Sequence, residues 1–371
     1  MQTIRHPISA SHGSVHSELT SYRFGQPGGR KAYIQAALHA DEVPAMLVAQ
    51  SLRTRLQMLE QQGRVLGEVV LVPAANPLGL AQVINERPFG RFDLATGINY
   101  NRGYPALGAP LAQALAGQLG PDADANVRLV RARLRELVEA WPASSNVNQL
   151  KKTLLGMAID ADVVLDLHCD NEAALHIYAS SHQVAELEPL ARLMQASALL
   201  HSSVAGGDPF DEACFRPWSE LAAQLGAQTP LPLACLAATI ELRGEVQVDY
   251  ATAANDAYAI LRYLALQGIL QLDESGLPPA SCRPTPLEGT QRLDAPHAGM
   301  LVYLRALGDQ VAAGDAIADL IDPTSGETTT LRASVDGVFF ARLSHRYVIR
   351  GMNVGKIAGV QPFREGNLLS L

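Results

Sequence analysis

Cysteine is scarce in this chain of 371 residues. The four present, Cys169, Cys214, Cys235 and Cys282, are scattered and form no CxxC pair. Such usage fits free thiols in a reducing compartment, so cytoplasm is the expected location, with export by another route left open. Long apolar runs are missing too. The N-terminal MQTIRHPISASHGSVHS has no continuous apolar segment of the kind a secretory signal requires. No stretch approaches the ~20 apolar residues that cross a bilayer, and the best candidate, LPLACLAATIEL, reads as a buried strand. Positive charge is outweighed, 29 Lys and Arg against 37 Asp and Glu, for a net charge of -8. Nucleic acid and anionic membranes repel such a surface, so neither is an expected partner.

What the chain has is an alternation of apolar strand-like runs and helical patterns. Strands are expected at 32–38, 67–76, 161–168, 175–180 and 233–242, and helices at 42–60, 127–140, 189–200 and 249–267. Strands separated by helices imply an α/β layer architecture, and short apolar strands without alternation imply a sheet covered on both faces. Between Pro77 and Pro105 the chain is rich in Gly, Asn, Arg and Pro and has little periodicity; long irregular loops in compact domains are often functional. Past residue 270 the character changes. Two similar halves, beginning at Asp294 and Leu331, each carry a small-residue entry, an apolar strand and a V-x-x-G turn (Val311 with Gly314, Val348 with Gly351). They are expected to close around one small all-β core. The length accommodates two domains, read as an α/β part over 1–275, a linker over 276–289 and a β unit over 290–371.

Four polar pieces fall at strand ends: His39-x-x-Glu42, Asn101-Arg102, Asp166-Leu167-His168 and Thr239-Ile240-Glu241. Singly, each has an ordinary reading as a surface or capping residue. Together they can converge at the carboxyl edge of a sheet, where open α/β folds place their ligands. His39, Glu42 and His168 supply two imidazoles and a carboxylate, a set that zinc accepts while leaving a fourth position for water. Asp166 lies two residues before His168, hence on the same strand face, where it would orient the metal ligand or serve as a buried cap. Glu241 ends an apolar run. There it is either a solvated strand end or a base that takes a proton from water and returns it to a leaving nitrogen. Arg87, Arg91, Arg102 and Arg243 sit around the irregular loops and are candidates for polarising a carbonyl or clamping a carboxylate. Spacing does not divide those roles among them.

With these motifs in hand, the chain resembles the succinylglutamate desuccinylase and aspartoacylase family, within the broader zinc carboxypeptidase superfamily. The family's G-x-H-G-x-E motif reads Ala37-Leu38-His39-Ala40-Asp41-Glu42, with both glycines replaced. N-P-x-G appears as Asn76-Pro77-Leu78-Gly79. D-x-N-R-x-F-P appears as Asn99-Tyr100-Asn101-Arg102-Gly103-Tyr104-Pro105, with Asn for the leading Asp. The D-x-H and T-x-E patterns are Asp166–His168 and Thr239–Glu241. The resemblance spans about residues 32–268 and extends to the C-terminal β unit. It implies a three-layer, mixed but mostly parallel sheet of zinc carboxypeptidase type with a small barrel-sandwich-like β domain. It also implies one zinc per chain on His39, Glu42 and His168, and Glu241 as general base. Asn101 and Arg102 would bind a substrate carboxylate and Arg91 would stand near the scissile carbonyl, with Arg87 as its rival.

The leading expectation is a zinc hydrolase that cleaves the amide of a small, carboxylate-bearing N-acyl amino acid. A carboxypeptidase acting on peptides is the rival within enzymes; the β unit could narrow access against long chains. A non-catalytic binding protein or scaffold is the alternative of another class. A lipoate or biotin carrier is disfavoured, because the turn Asp322–Glu327 between the two halves has no lysine, and Lys356 lies in a strand-like run. The sequence leaves homo-oligomerisation open.

Overall fold

A computed structural model of the chain describes residues 1–9, 14, 16–226, 228–274, 276–366 and 368. Ser275 and Leu371, at the expected ends of the two units, lie outside them. The centre is a nine-stranded sheet. Its parallel heart runs Glu68–Val72, Lys31–Ala36, Val163–Asp170, Leu236–Gly244. An N-terminal hairpin, Gln2–Pro7 with Glu18–Gly25, extends one side antiparallel to Glu68–Val72. On the other side His176–Ser180 runs antiparallel to Leu236–Gly244, then Ala198–Ser202 and Pro284–Pro286 follow in parallel. The last of these lies within the stretch read as a linker and pairs with the edge of the main sheet.

Alternation of side chains divides the core into two apolar layers. Ile34, Val163, Leu165 and Leu167 face one side, covered by the helices Pro44–Gln61, Val184–Leu193 and Tyr250–Leu266. Tyr33 and Val164 face the other, under Ala123–Ala140, Asn146–Ala158 and Phe210–Ala222. Three layers result, as the family resemblance implies. Local chemistry marks the helix starts: the Asp122, Ser145 and Asp249 side chains accept from Ala125, Asn148 and Thr252 N–H groups.

One expected helix is corrected. Residues 189–200 are not continuously helical: the helix ends at Leu193, Gln195 turns with φ 51°, and Ala198–Ser202 is a strand. A short apolar run such as Ala198-Leu199-Leu200 fits either element by periodicity, and pairing with His176–Ser180 decides for the strand.

Residues from Thr290 onward form two antiparallel sheets around a core that includes Leu301, Ile317, Phe339, Val354 and Ile357. One sheet recruits Glu172–Ala173, just beyond His168, as an extra strand beside Gly337–Arg342. A shared apolar cluster of Ala173, Leu200, Leu287, Phe340 and Ala358 backs that junction. The C-terminal sheets are therefore stitched to the segment that carries the polar constellation.

Candidate active site

His39, Glu42 and His168 come together at the carboxyl edge of the parallel strands, each buried. One ligand atom from each lies within 4.8 Å of the others. His39 follows the strand Lys31–Ala36 through a turn in which Ala37 takes φ 58°. This is the left-handed region that usually favours glycine, and Ala37 stands where the family motif has its first glycine. The turn is thus kept without the glycine. At Ala40, the second missing glycine, space is recovered from partners. Ala40 N donates to Gly90 O at 3.1 Å, and a Cβ on Gly79 would stand 2.9 Å from Ala40 Cβ.

Both imidazoles turn Nδ1 toward Glu42: His39 to Oε1 and His168 to Oε2, each at 2.8 Å. Their far nitrogens are held from behind. His39 Nε2 is 3.0 Å from Asn99 Oδ1, and that oxygen also accepts from Asn101 N–H at 2.8 Å, which identifies it as an acceptor. His39 must then carry its proton on Nε2. Asp166 Oδ2 lies 3.0 Å from His168 Nε2 and the Asn101 amide nitrogen 3.3 Å from it, so a carboxylate and an amide flank the far side of the ring. Asp166 is itself fixed by a chain in which Tyr33 donates to Gln35 and Gln35 to Asp166.

Electrostatics agree with a cation site. Burial, aided by the Arg91 charge, lowers His39 to about 4, so the ring is neutral near pH 7. Its Nδ1 lone pair then faces a carboxylate oxygen, an arrangement that a bound cation reconciles. Burial alone would raise Glu42, but His168 and His39 hold it well below the usual carboxylate range. Burial opposes charging of His168, and Asp166 with Glu42 overcomes it, raising the ring well above its ordinary value. His39 is already neutral, His168 would give up a proton on binding a cation, and with the ionised Glu42 carboxylate the three form a donor set that suits a divalent metal.

Glu241 is the direct cross-strand neighbour of His168. Its Oε2 is buried with no hydrogen-bond partner among the described residues, and the residue lines the cavity beside the two histidines. Burial, then the Glu42 carboxylate, raises it to about 8. The cavity, about 340 Å3, is also lined by Arg91, Asn101 and Arg102. Arg91 Nη1 reaches within 3.3 Å of His39 Nδ1 and 3.7 Å of Glu42 Oε1. Asn101 Oδ1 accepts from Phe210 N–H at 2.8 Å. The other two arginines are elsewhere. Arg87 sits in an exposed two-residue strand, and Arg243 makes a bidentate pair with Asp256 at 2.7 and 3.2 Å; neither lines the cavity.

Sequence reasoning missed several residues of this cavity. Asp170 continues the alternation Asp166, His168, Asp170 on one strand face, a period-2 signal that was there to be used. Its partner Lys356, 2.6 Å away, comes from the C-terminal sheets. Burial opposes its charge, yet Asp170 raises the amine above its ordinary value. Tyr178 and Asp211 also line the cavity, and no local pattern marks them.

With this geometry established, similarity to known proteins becomes decisive. Residues 28–267 match the succinylglutamate desuccinylase/aspartoacylase catalytic domain. The chain belongs to that family. Within the desuccinylase/aspartoacylase family, a Shewanella amazonensis member of known structure is 30% identical, with TM-score 0.83 over 96% of this chain and 98% of that one. A second, from Shewanella frigidimarina, is 27% identical with TM-score 0.84 over 98% and 99%. Among characterised relatives, an N-alpha-acetyl-L-2,4-diaminobutyric acid deacetylase of Halomonas elongata is 24% identical over 379 aligned residues, 95% of this chain and 90% of the relative. Both structural matches run into the C-terminal sheets, so the likeness covers the whole architecture and not the α/β part alone. No helix among the described residues is long and apolar enough to cross a membrane.

Proposed function

We propose that the protein is a zinc-dependent deacylase that hydrolyses the amide bond of a small N-acyl amino acid. The observation that carries this reading is the convergence of His39, Glu42 and His168 on one point, with Glu241 beside them. The family membership and the N-acetyl-diaminobutyrate deacetylase relative support amide hydrolysis.

His39 Nδ1, one Glu42 oxygen and His168 Nδ1 would hold the ion. When bound, zinc supplies a Lewis acid that acidifies water and polarises a carbonyl. The remaining work belongs to the chain. Glu241, which lines the cavity beside the two histidines, takes the proton from the attacking water and then delivers it to the departing nitrogen, because an amide anion leaves poorly. Arg91, beside the metal ligands, stabilises the negative charge that develops on the carbonyl oxygen. Asn101 and Arg102 receive the amino acid's carboxylate, and a guanidinium offers the paired donors this needs. Asn99 keeps the His39 proton on Nε2, so its Nδ1 stays available, and Asp166 flanks the far side of the His168 ring.

The test is metal content together with a substrate panel. Protein purified without added metal should bind one zinc per chain and hydrolyse N-acetyl or N-succinyl amino acids in preference to peptides. His39→Ala and His168→Ala should each lose most zinc. Full zinc binding in both variants, or hydrolysis confined to peptides, overturns the reading.

A further inference from the structure

The helix Asn146–Ala158 buries a lysine where a lysine is costly. Lys151 is 2% exposed. Among the described residues, its ammonium has no carboxylate within 4.0 Å: its partners are two backbone carbonyls, Asn99 O at 3.0 Å and Arg102 O at 2.7 Å. The Tyr104 ring centre lies 5.6 Å away. A buried cation without a counter-charge is unfavourable, and hydrogen bonds to carbonyls repay only part of the cost. Burial accordingly lowers its pKa to about 8. A leucine at this helix position would fill the layer without such a penalty.

The two carbonyls identify what the charge supports. They are the ends of the turn 99–102, closed by Arg102 N–H donating to Asn99 O at 3.3 Å. Between them, Asn99 orients His39, and Asn101 and Arg102 line the cavity. Asn99 Oδ1 accepts from Asn101 N–H at 2.8 Å, Arg102 Nη1 donates to Asn101 O at 2.7 Å, Tyr100 N–H donates to Arg91 O at 3.1 Å and Asn101 Oδ1 accepts from Phe210 N–H, but none of these bonds ties the carbonyls of Asn99 and Arg102 to each other. Lys151 closes it from behind, gripping both ends at once. A neutral donor such as glutamine could reach both carbonyls only with an ideally placed amide, whereas an ammonium has three N–H groups and adds positive potential behind the turn.

We propose that Lys151 is a positioning residue for carboxylate binding: it clamps the turn 99–102 so that Asn101 and Arg102 present their side chains to a substrate carboxylate, and it holds a fixed charge behind them. This rests on the reading of Arg102 as the carboxylate-binding residue. Lys151 itself touches no substrate, and it belongs to no motif that the sequence displayed.

The experiment compares N-acetyl and N-succinyl amino acids with their α-carboxamides, using zinc-loaded wild type, Arg102→Lys, Lys151→Met and Lys151→Gln. Misplacing a binding group by about 1 Å costs on the order of 100-fold. Lys151→Met should therefore raise KM for the carboxylates roughly 10- to 100-fold, change kcat/KM for the carboxamides less than about threefold, and keep one zinc per chain. Lys151→Gln, which can still donate to one carbonyl, should fall between Met and wild type. If the Met variant does not fold, the Gln variant decides by the same criterion. Equal losses on both substrate sets, or lost zinc, would reduce Lys151 to general structural support and overturn the proposal. Arg102→Lys separates the two failures. If it is selective for carboxylates and the Lys151 variants are not, only the Lys151 role falls. If Arg102→Lys harms both sets alike, the carboxylate reading falls and the Lys151 role with it.

Discussion

Glu241 stands directly across from His168 on adjacent parallel strands. A one-residue slip between those strands would send one of the two side chains to the opposite face. The pairing of Thr239 with Asp166 in the same ladder shows that the register is held two residues earlier as well. The register of this ladder thus sets the proposed base beside the proposed metal-ligating histidine. Glu241→Gln should keep zinc near one per chain and fold normally, while kcat falls about 10²- to 10⁴-fold. Measured kcat together with zinc content checks this. Near-normal turnover, or zinc lost along with turnover, removes Glu241 from the role of base.

Asn99 offers a more discriminating test of the metal site. His168 is backed by a carboxylate, His39 by an amide. A carboxylate acceptor makes a ligating imidazole a stronger donor, and such supporting groups are worth about 10- to 100-fold in metal affinity. Asn99→Asp restores the family's usual residue and forfeits nothing visible, since Asn99 Nδ2 has no partner among the described residues. It should tighten zinc binding about tenfold in a chelator competition, and Asp166→Asn should weaken it by a similar or larger factor. Equal affinity in all three proteins would mean that the histidine far sides do not face a ligand-bound ring.

Gly90 is constrained from the other direction. A Cβ at this position would sit 2.2 Å from Asp41 N and 2.6 Å from Ala40 N, both backbone atoms of the turn between His39 and Glu42. Gly90→Ala must move that turn. A loss of about 1–3 kcal/mol, the usual cost of overpacking, and weaker zinc binding should appear together in thermal melts with and without metal. Gly97→Ala is not an adequate control, because its φ of 72° adds strain of its own. Gly120→Ala, with no atom within 4 Å and no positive φ, is suitable and should leave zinc affinity unchanged.

His168 and Glu241 were legible because each lies near the end of an apolar strand, and His39 and Glu42 because they fall in the strand-to-helix turn after Lys31–Ala36; a parallel sheet gathers such ends at one edge. Arg87 and Arg243 were drawn in by the same nearness in sequence, but distance along the chain does not fix direction. Arg243 takes φ 94° and turns to Asp256 instead. Lys151 and Lys356 were invisible for the opposite reason. Each reaches the site from an element distant in sequence, and a lysine on a helix or strand reads as a solvated face until the packing is known. The N-terminal hairpin and the helices Asn146–Ala158 and Phe210–Ala222 escaped notice as well. Their apolar positions are interrupted by polar residues, Lys151, Asp211 and Glu212 among them, that the fold buries.

Asp211 carries a pH prediction. It opens the helix Phe210–Ala222 and is 7% exposed. Burial, then the neighbouring Glu212 and Asp166 carboxylates, raises it from 3.8 to about 7. The sign follows from proton counts. Between roughly pH 4 and 7 the folded state keeps a proton on Asp211 that the unfolded chain has released. Stability from this group is therefore fully present below the unfolded value and is lost progressively as pH rises through the folded one. Asp211→Asn removes the ionisation while keeping an oxygen to accept hydrogen bonds. A proton held by one state and not the other changes stability by ~1.4 kcal/mol for each step of one in pH. Wild type should therefore lose about 2–3 kcal/mol relative to the Asn variant between pH 5 and pH 8. Contributions from titrating groups that do not interact with Asp211 cancel in that difference. Chemical denaturation of both proteins at the two pH values measures it directly. A stability gap that stays constant from pH 5 to pH 8 would show that Asp211 ionises alike in the folded and unfolded states. A wild type that instead gains on the Asn variant as pH rises would reverse the sign and place an attractive charge near Asp211.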